Sequence, residues 1–166
     1  MNIKKMMLTG IFAAIAVSGS LISFPVFGSK CAPIQHIVNI LAAIFLGPGL
    51  AVVAAFTASC IRVATGLGTL LAFPGSMCGA LLAGLLYKYS KKLVLAYAGE
   101  IVGTGIIGGM LAYPVALLIM GNSAAALFTF VIPFLISTSC GTIIAIVVTF
   151  SMKKAGLIEK FRHELE

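Results

Sequence analysis

The chain has 166 residues, 61% of them hydrophobic and 9% charged, with a mean hydropathy of +1.18, against about 25% charged in soluble domains. That excludes a soluble catalytic domain and implies an integral membrane protein, long enough for about six short-looped spans at about 20 apolar residues each. The net charge of +7 lies mostly in lysines between apolar runs, where the excess of basic residues on the cytoplasmic side accounts for it and no nucleic-acid partner is implied.

Lys4 and Lys5 precede an apolar run predicted as a first helix over 6–24. Ala16-Val17-Ser18 has the small residues of a cleavage box, but the run exceeds the ~7–15 residue apolar core of a signal peptide, so the helix is expected to be retained. Gly10, Ala14 and Ser18, at i, i+4 and i+8, give it a flat face for the approach of another helix. Pro25 to Pro33 reads as an irregular connection carrying Lys30. A short second helix over 34–46 opens Gln35-His36-x-x-Asn39 and stops at Gly47-Pro48-Gly49. The third, over 50–65, carries Arg62 in its last turn and is followed by a Gly66-x-Gly68-Thr69 turn and a break at Phe73-Pro74-Gly75. The fourth, over 75–87, runs into Lys88, Lys91 and Lys92. The fifth, over 93–120, carries Glu100 and two G-x-x-x-G registers, Gly99 to Gly103 and Gly105 to Gly109, a spacing that lets helices pack closely in lipid. The sixth, over 124–152, contains Pro133, expected to free the carbonyl of Thr129, and closes at Lys153 and Lys154. The tail over 155–166 reads as a short surface helix or a partly disordered segment.

Six crossings with both termini in the cytoplasm put every lysine and arginine there except Lys30 and Arg62. On this topology Lys30, Gln35, His36, Asn39, Arg62 and Thr69 converge on the outer side from three segments, the pattern of an outward-facing ligand site. Gln35 and Asn39 share a helix face, and amides beside an imidazole offer donors and acceptors suited to a small neutral heterocycle. Glu100 is the one acid in any predicted span; at ~2.5–3.5 kcal/mol for a charged residue at a helix centre it needs a partner, and ligand contact and structural pairing are both open to it.

Cys31, Cys60, Cys78 and Cys140 are far apart, without C-x-x-C or metal-ligand spacing, so neither a metal nor a disulfide framework is expected. The sequence has no aspartate, no G-x-x-x-x-G-K-S/T loop, no H-E-x-x-H and no G-x-S-x-G, which removes P-loop ATP binding and the usual intramembrane hydrolase chemistries. No cofactor and no catalytic residue are assigned.

Three pieces resemble the ThiW family, the substrate-capture (S) components of energy-coupling-factor (ECF) vitamin transporters. They are Lys30-Cys31-x-Pro33-x-Gln35-His36-x-x-Asn39, Gly66-x-Gly68-Thr69-Leu70-Leu71-Ala72-Phe73-Pro74-Gly75 and Gly99-Glu100-x-x-Gly103-Thr104-Gly105. The resemblance covers roughly residues 5 to 154. It implies an all-α six-helix membrane bundle that captures a thiamine precursor, the hydroxyethylthiazole moiety, from outside. It also implies partners: a transmembrane coupling subunit and two ATPases that drive release inward. Phe73 and Thr104 join Lys30, Gln35, His36, Asn39, Arg62, Thr69 and Glu100 as substrate-binding candidates through these motifs. S components resemble one another in an Ala-x-x-x-Ala docking face on the first helix. Here Gly10, Ala14 and Ser18 have equivalent geometry, and Ala51-x-x-x-Ala55 and Ala54-x-x-x-Ala58 on the third helix compete for the role. The alternatives are an S component for another small heterocycle, a membrane enzyme using His36, Glu100 and a cysteine, and a self-sufficient facilitator.

Overall fold

A computed structural model describes residues 3–26 and 29–165; residues 27 and 28 of the expected irregular connection and Glu166 of the tail lie outside the described residues. Among the described residues the regular structure is helical apart from one small hairpin. Helix α1 (Ile3–Gly19) buries Thr9, Phe12, Ala13, Ala16 and Gly19, the 3–4 spacing of one helix face. It stops short of the predicted Phe24, because the amides of Ser20, Leu21 and Ile22 turn back to Val17, Ser18 and Gly19 and Pro25 cannot continue a helix. Strands β1 (Phe24–Val26) and β2 (Ser29–Cys31) pair antiparallel with Phe24 opposite Cys31, where the sequence reading expects irregular chain.

The second and third predicted helices are the two arms of α2 (Pro33–Ala64), broken at Gly47 (φ 78°, ψ 177°). Positive φ favours glycine, and the extended ψ is what the following Pro48 requires. The arms run back on one another. His36 and Arg62 line one cavity at one end of the bundle, while Gly47 lies at the opposite end beside Lys5 and Lys88. Ala51, Ala54, Ala55 and Ala58 are buried in the core with Phe12 and Ala16 of α1.

Helix α3 (Ala72–Ser90) begins earlier than predicted. Pro74 sits in its first turn, where a missing N–H costs no helical hydrogen bond, so Phe73-Pro74-Gly75 opens the helix and does not break the chain. Lys91 in the left-handed region (φ 58°) ends it, its N–H donating to Tyr87 O at 2.8 Å. Helix α4 (Leu93–Ile119) contains π-helical turns over Ile101–Gly108 and Val115–Ile119. The widened turn changes which glycines share a face. A Cβ would fall 2.7 Å from Ala83 Cα at Gly99, 2.9 Å from Gly79 Cα at Gly103 and 2.6 Å from Gly75 Cα at Gly108. The four-then-five spacing thus keeps α4 against residues 75, 79 and 83 of α3. Gly105 and Gly109 instead meet Leu135 and Val131 of helix α5 (Val131–Lys154).

Helix α5 starts later than the predicted residue 124. Asn122 Oδ1 and Thr129 Oγ1 accept the amides of Ala124 and Ala126, local bonds that compete with helix. Pro133 therefore stands in the first helical turn, whereas the sequence reading places it mid-helix freeing the carbonyl of Thr129. Helix α6 (Leu157–Leu165) buries Ile158 and Leu165, and Phe161 meets Phe45 edge-on at 5.9 Å, so this part of the tail is an ordered surface helix. Helices α2, α4 and α5 are long and apolar enough to cross a membrane.

Candidate substrate site

Glu100, completely buried, organises the polar interior. Its Oε1 accepts from His36 Nδ1 at 2.9 Å, Asn39 Nδ2 at 3.1 Å and Thr104 Oγ1 at 2.9 Å. Thr104 reaches it because it lies one turn along the same helix, and its single proton is shared with Gly75 O at 3.1 Å. A Cβ at Gly79 would lie 2.6 Å from Glu100 Oε2; glycine there lets α3 pass over the carboxylate. His36 is held from its other side by Ser137 Oγ, 2.9 Å from Nε2, and Ser137 also accepts the amide of Ala32 at 3.2 Å. One proton order satisfies the whole relay: the Ala32 amide donates to Ser137, the Ser137 hydroxyl to Nε2, and Nδ1–H to Glu100. Close approach of the α2 helix to α5 depends on Gly141, where a Cβ would lie 2.7 Å from His36 Cβ.

Above this hub lies a cavity of about 50 Å³ with Lys30, Gln35, His36, Arg62, Thr69 and Thr104 in its wall. Six of the nine candidate binding residues are therefore brought together. Asn39 and Glu100 lie beneath the wall, and Phe73 instead packs at a tilt against Phe56 with ring centroids 5.7 Å apart. Chemistry divides the six again. His36 and Thr104 spend their polar atoms on the hub. Among the described residues, the side chains of Lys30, Gln35, Arg62 and Thr69 make no hydrogen bond or ion pair, and these remain available to a ligand. Arg62 does not pair with Glu100, whose ionisable partner is His36.

Ser76, Phe134 and Ser137 also line the cavity and were not among the sequence candidates. Ser137 was detectable in principle, since Ser137-Thr138-Ser139 interrupts an otherwise apolar helix and polar groups at such depth need partners. Cys31, in the connection before α2, is 1% exposed. Burial pushes its thiol up, which makes it a packing residue and a poor nucleophile.

On α1, Gly10, Ala14 and Ser18 are exposed, and a Cβ at Gly10 would meet nothing within 4 Å. The competing alanines, Ala51 to Ala58, are internal.

A family model described as thiamine-precursor transporter protein (ThiW) matches residues 6–155, nearly the whole chain. A comparison with curated proteins returns no match. The convergent polar cavity inside an apolar helical bundle is the kind of site a small-molecule transporter needs, and the chain belongs to the ThiW family of thiamine-precursor transporter proteins.

Proposed function

We propose that this protein is a multi-pass cell-membrane S component of an ECF-type importer that captures the hydroxyethylthiazole moiety of thiamine from outside. In this reading α1, the two arms of α2, α3, α4 and α5 make six crossings with both termini cytoplasmic. Lys88, Lys91, Lys92, Lys153 and Lys154 then lie at the cytoplasmic end and the cavity near the outer end, as the distribution of basic residues requires. The observation that carries it is the cavity itself: Gln35, Arg62 and Thr69 converge from α2 and the following loop with polar atoms free, over a hub that holds the wall rigid. Its small volume, beside the ~300–1,000 Å³ of pockets for drug-sized ligands, suits a single ring better than whole thiamine.

The bundle needs an external energy source in this reading, a coupling subunit with two ATPases. The exposed face of Gly10, Ala14 and Ser18 is its docking site, since small residues permit close helix approach. Reconstitution tests the reading. Liposomes with the chain and the coupling module should accumulate radiolabelled hydroxyethylthiazole only with internal ATP, and mass spectrometry of purified protein should find a thiazole. Equal uptake by the chain alone would make it a facilitator and refute the S-component assignment.

A further inference from the structure

Arg62 is 3% exposed and lines the cavity, and its Nε and Nη1 have no hydrogen-bond partner among the described residues. A buried cation is costly unless paired, and the surroundings of Arg62 offer little. Among the described residues no Asp or Glu lines the cavity, and Glu100 is bonded to His36, Asn39 and Thr104. The neighbouring end carbonyls of α2 are already engaged. Ile61 O accepts from Thr65 N–H at 2.9 Å, Val63 O from Gly66 N–H at 3.2 Å and Arg62 O from Gly68 N–H at 2.9 Å. The position at a helix C-terminus favours a cation but offsets only a small part of the desolvation. The glycine turn after the helix closes over the side chain, for a Cβ at Gly68 would lie 3.1 Å from Arg62 Cβ and 3.5 Å from Nε. A second cation, Lys30, stands exposed at the rim.

We propose that the ligand of this cavity carries a compact anion, a phosphate monoester or a carboxylate, which docks on the buried guanidinium of Arg62 with Lys30 drawing it in. The guanidinium fork matches either group through two parallel N–H···O bonds, and the free amide of Gln35 and hydroxyl of Thr69 complete the donor set. Two cations suit one such group; a diphosphate would call for more. This rests on the thiamine-precursor reading and narrows it to a thiazole with an acidic substituent in preference to the free alcohol.

Calorimetry on the full chain in zwitterionic nanodiscs tests it with three probes: hydroxyethylthiazole, its phosphate monoester and a thiazole carboxylate. At least one anionic probe should bind the wild type about tenfold or more tighter than the alcohol, a gap of about 1.4 kcal/mol, and which of the two does so identifies the anion. Arg62→Gln should reduce that preference to less than about threefold, while Arg62→Lys retains part of it. Alcohol binding as tight as that of both anions overturns the proposal and leaves the thiamine-precursor reading standing; this comparison needs only the wild type, so a misfolded variant does not obscure it. Binding of none of the three overturns both.

Discussion

Removing the carboxylate at the centre of the hub should show how the interior is held. In Glu100→Ala, Asn39 and Thr104 keep second acceptors, Ser76 O at 3.3 Å and Gly75 O at 3.1 Å, but His36 Nδ1 loses its partner. An unsatisfied buried donor costs about 1–3 kcal/mol, and the void left by the truncated side chain adds on the order of 2 kcal/mol. Relief of the buried carboxylate offsets part of this, leaving a net loss of about 2–4 kcal/mol, or roughly 4–16 °C in Tm at about 2–4 °C per kcal/mol for this chain length. Glu100→Gln should lose much less. All three donors converge on Oε1 while Oε2 has no hydrogen-bond partner, so a glutamine can present its carbonyl oxygen to the same donors and strand only its own NH₂, at about 1 kcal/mol. Thermal unfolding in nanodiscs without ligand measures both variants. A Gln variant as unstable as the Ala variant would refute the acceptor argument and show that the negative charge itself is needed; an unchanged Tm in Glu100→Ala would show that the hub does not hold the fold.

Gln35→Ala should weaken substrate binding by about 1–3 kcal/mol without loss of stability, because its side chain has no hydrogen-bond partner among the described residues, whereas Asn39→Ala should lower Tm first; calorimetry and unfolding on the same samples separate the two. Gly79→Ala would place a Cβ 2.6 Å from Glu100 Oε2, while Gly10→Ala meets nothing within 4 Å, so the first should unfold at markedly lower temperature and the second at or above the wild-type value; the reverse order would contradict the packing. Ala14→Leu, on the exposed face of α1, should insert and bind ligand normally yet fail to co-purify with the coupling subunit, overpacking at a close contact costing about 1–3 kcal/mol; loss of ligand binding would instead place that face inside the bundle. Burial raises the Cys31 thiol, so as pH climbs through the ordinary thiol value of ~8.5 Cys31 should remain protonated and alkylate slowly, reacting at the free-cysteine rate only on unfolding; rapid labelling of the native protein near pH 8 would refute this burial.

Hydropathy and charge placement made much of this legible. Long apolar runs announce helices for lipid, and the expectation that Gln35, His36, Arg62 and Thr69 converge agrees with the cavity they line. Gly47 before Pro48 could be read as a reversal because few residues other than glycine adopt that backbone. Helix starts were harder. Phe73-Pro74-Gly75 and Pro133 resemble breaks in a linear reading, and only the register of the first turn shows that each proline occupies a position where no N–H is missed.

The roles of the polar residues required the tertiary structure, because a side chain's function depends on which atoms already have partners. His36 and Asn39 carry the same groups as free ligands would, yet packing of α2 against α4 and α5 turns them inward to Glu100, Ser76 and Ser137. Arg62 is a binding candidate in the sequence; the chain that folds over it at Gly68 makes it a buried cation lining the cavity. The two G-x-x-x-G registers were visible, but the π turn that sends Gly103 and Gly108 to α3 and Gly105 to α5 was not, since a change in helical pitch arises from contacts between helices. Composition and hydropathy thus determined that the chain is an apolar helical bundle of membrane type. Tertiary packing alone decided which of the residues around the cavity brace its wall and which keep free polar atoms, because hydrogen-bond satisfaction is a property of neighbours in space.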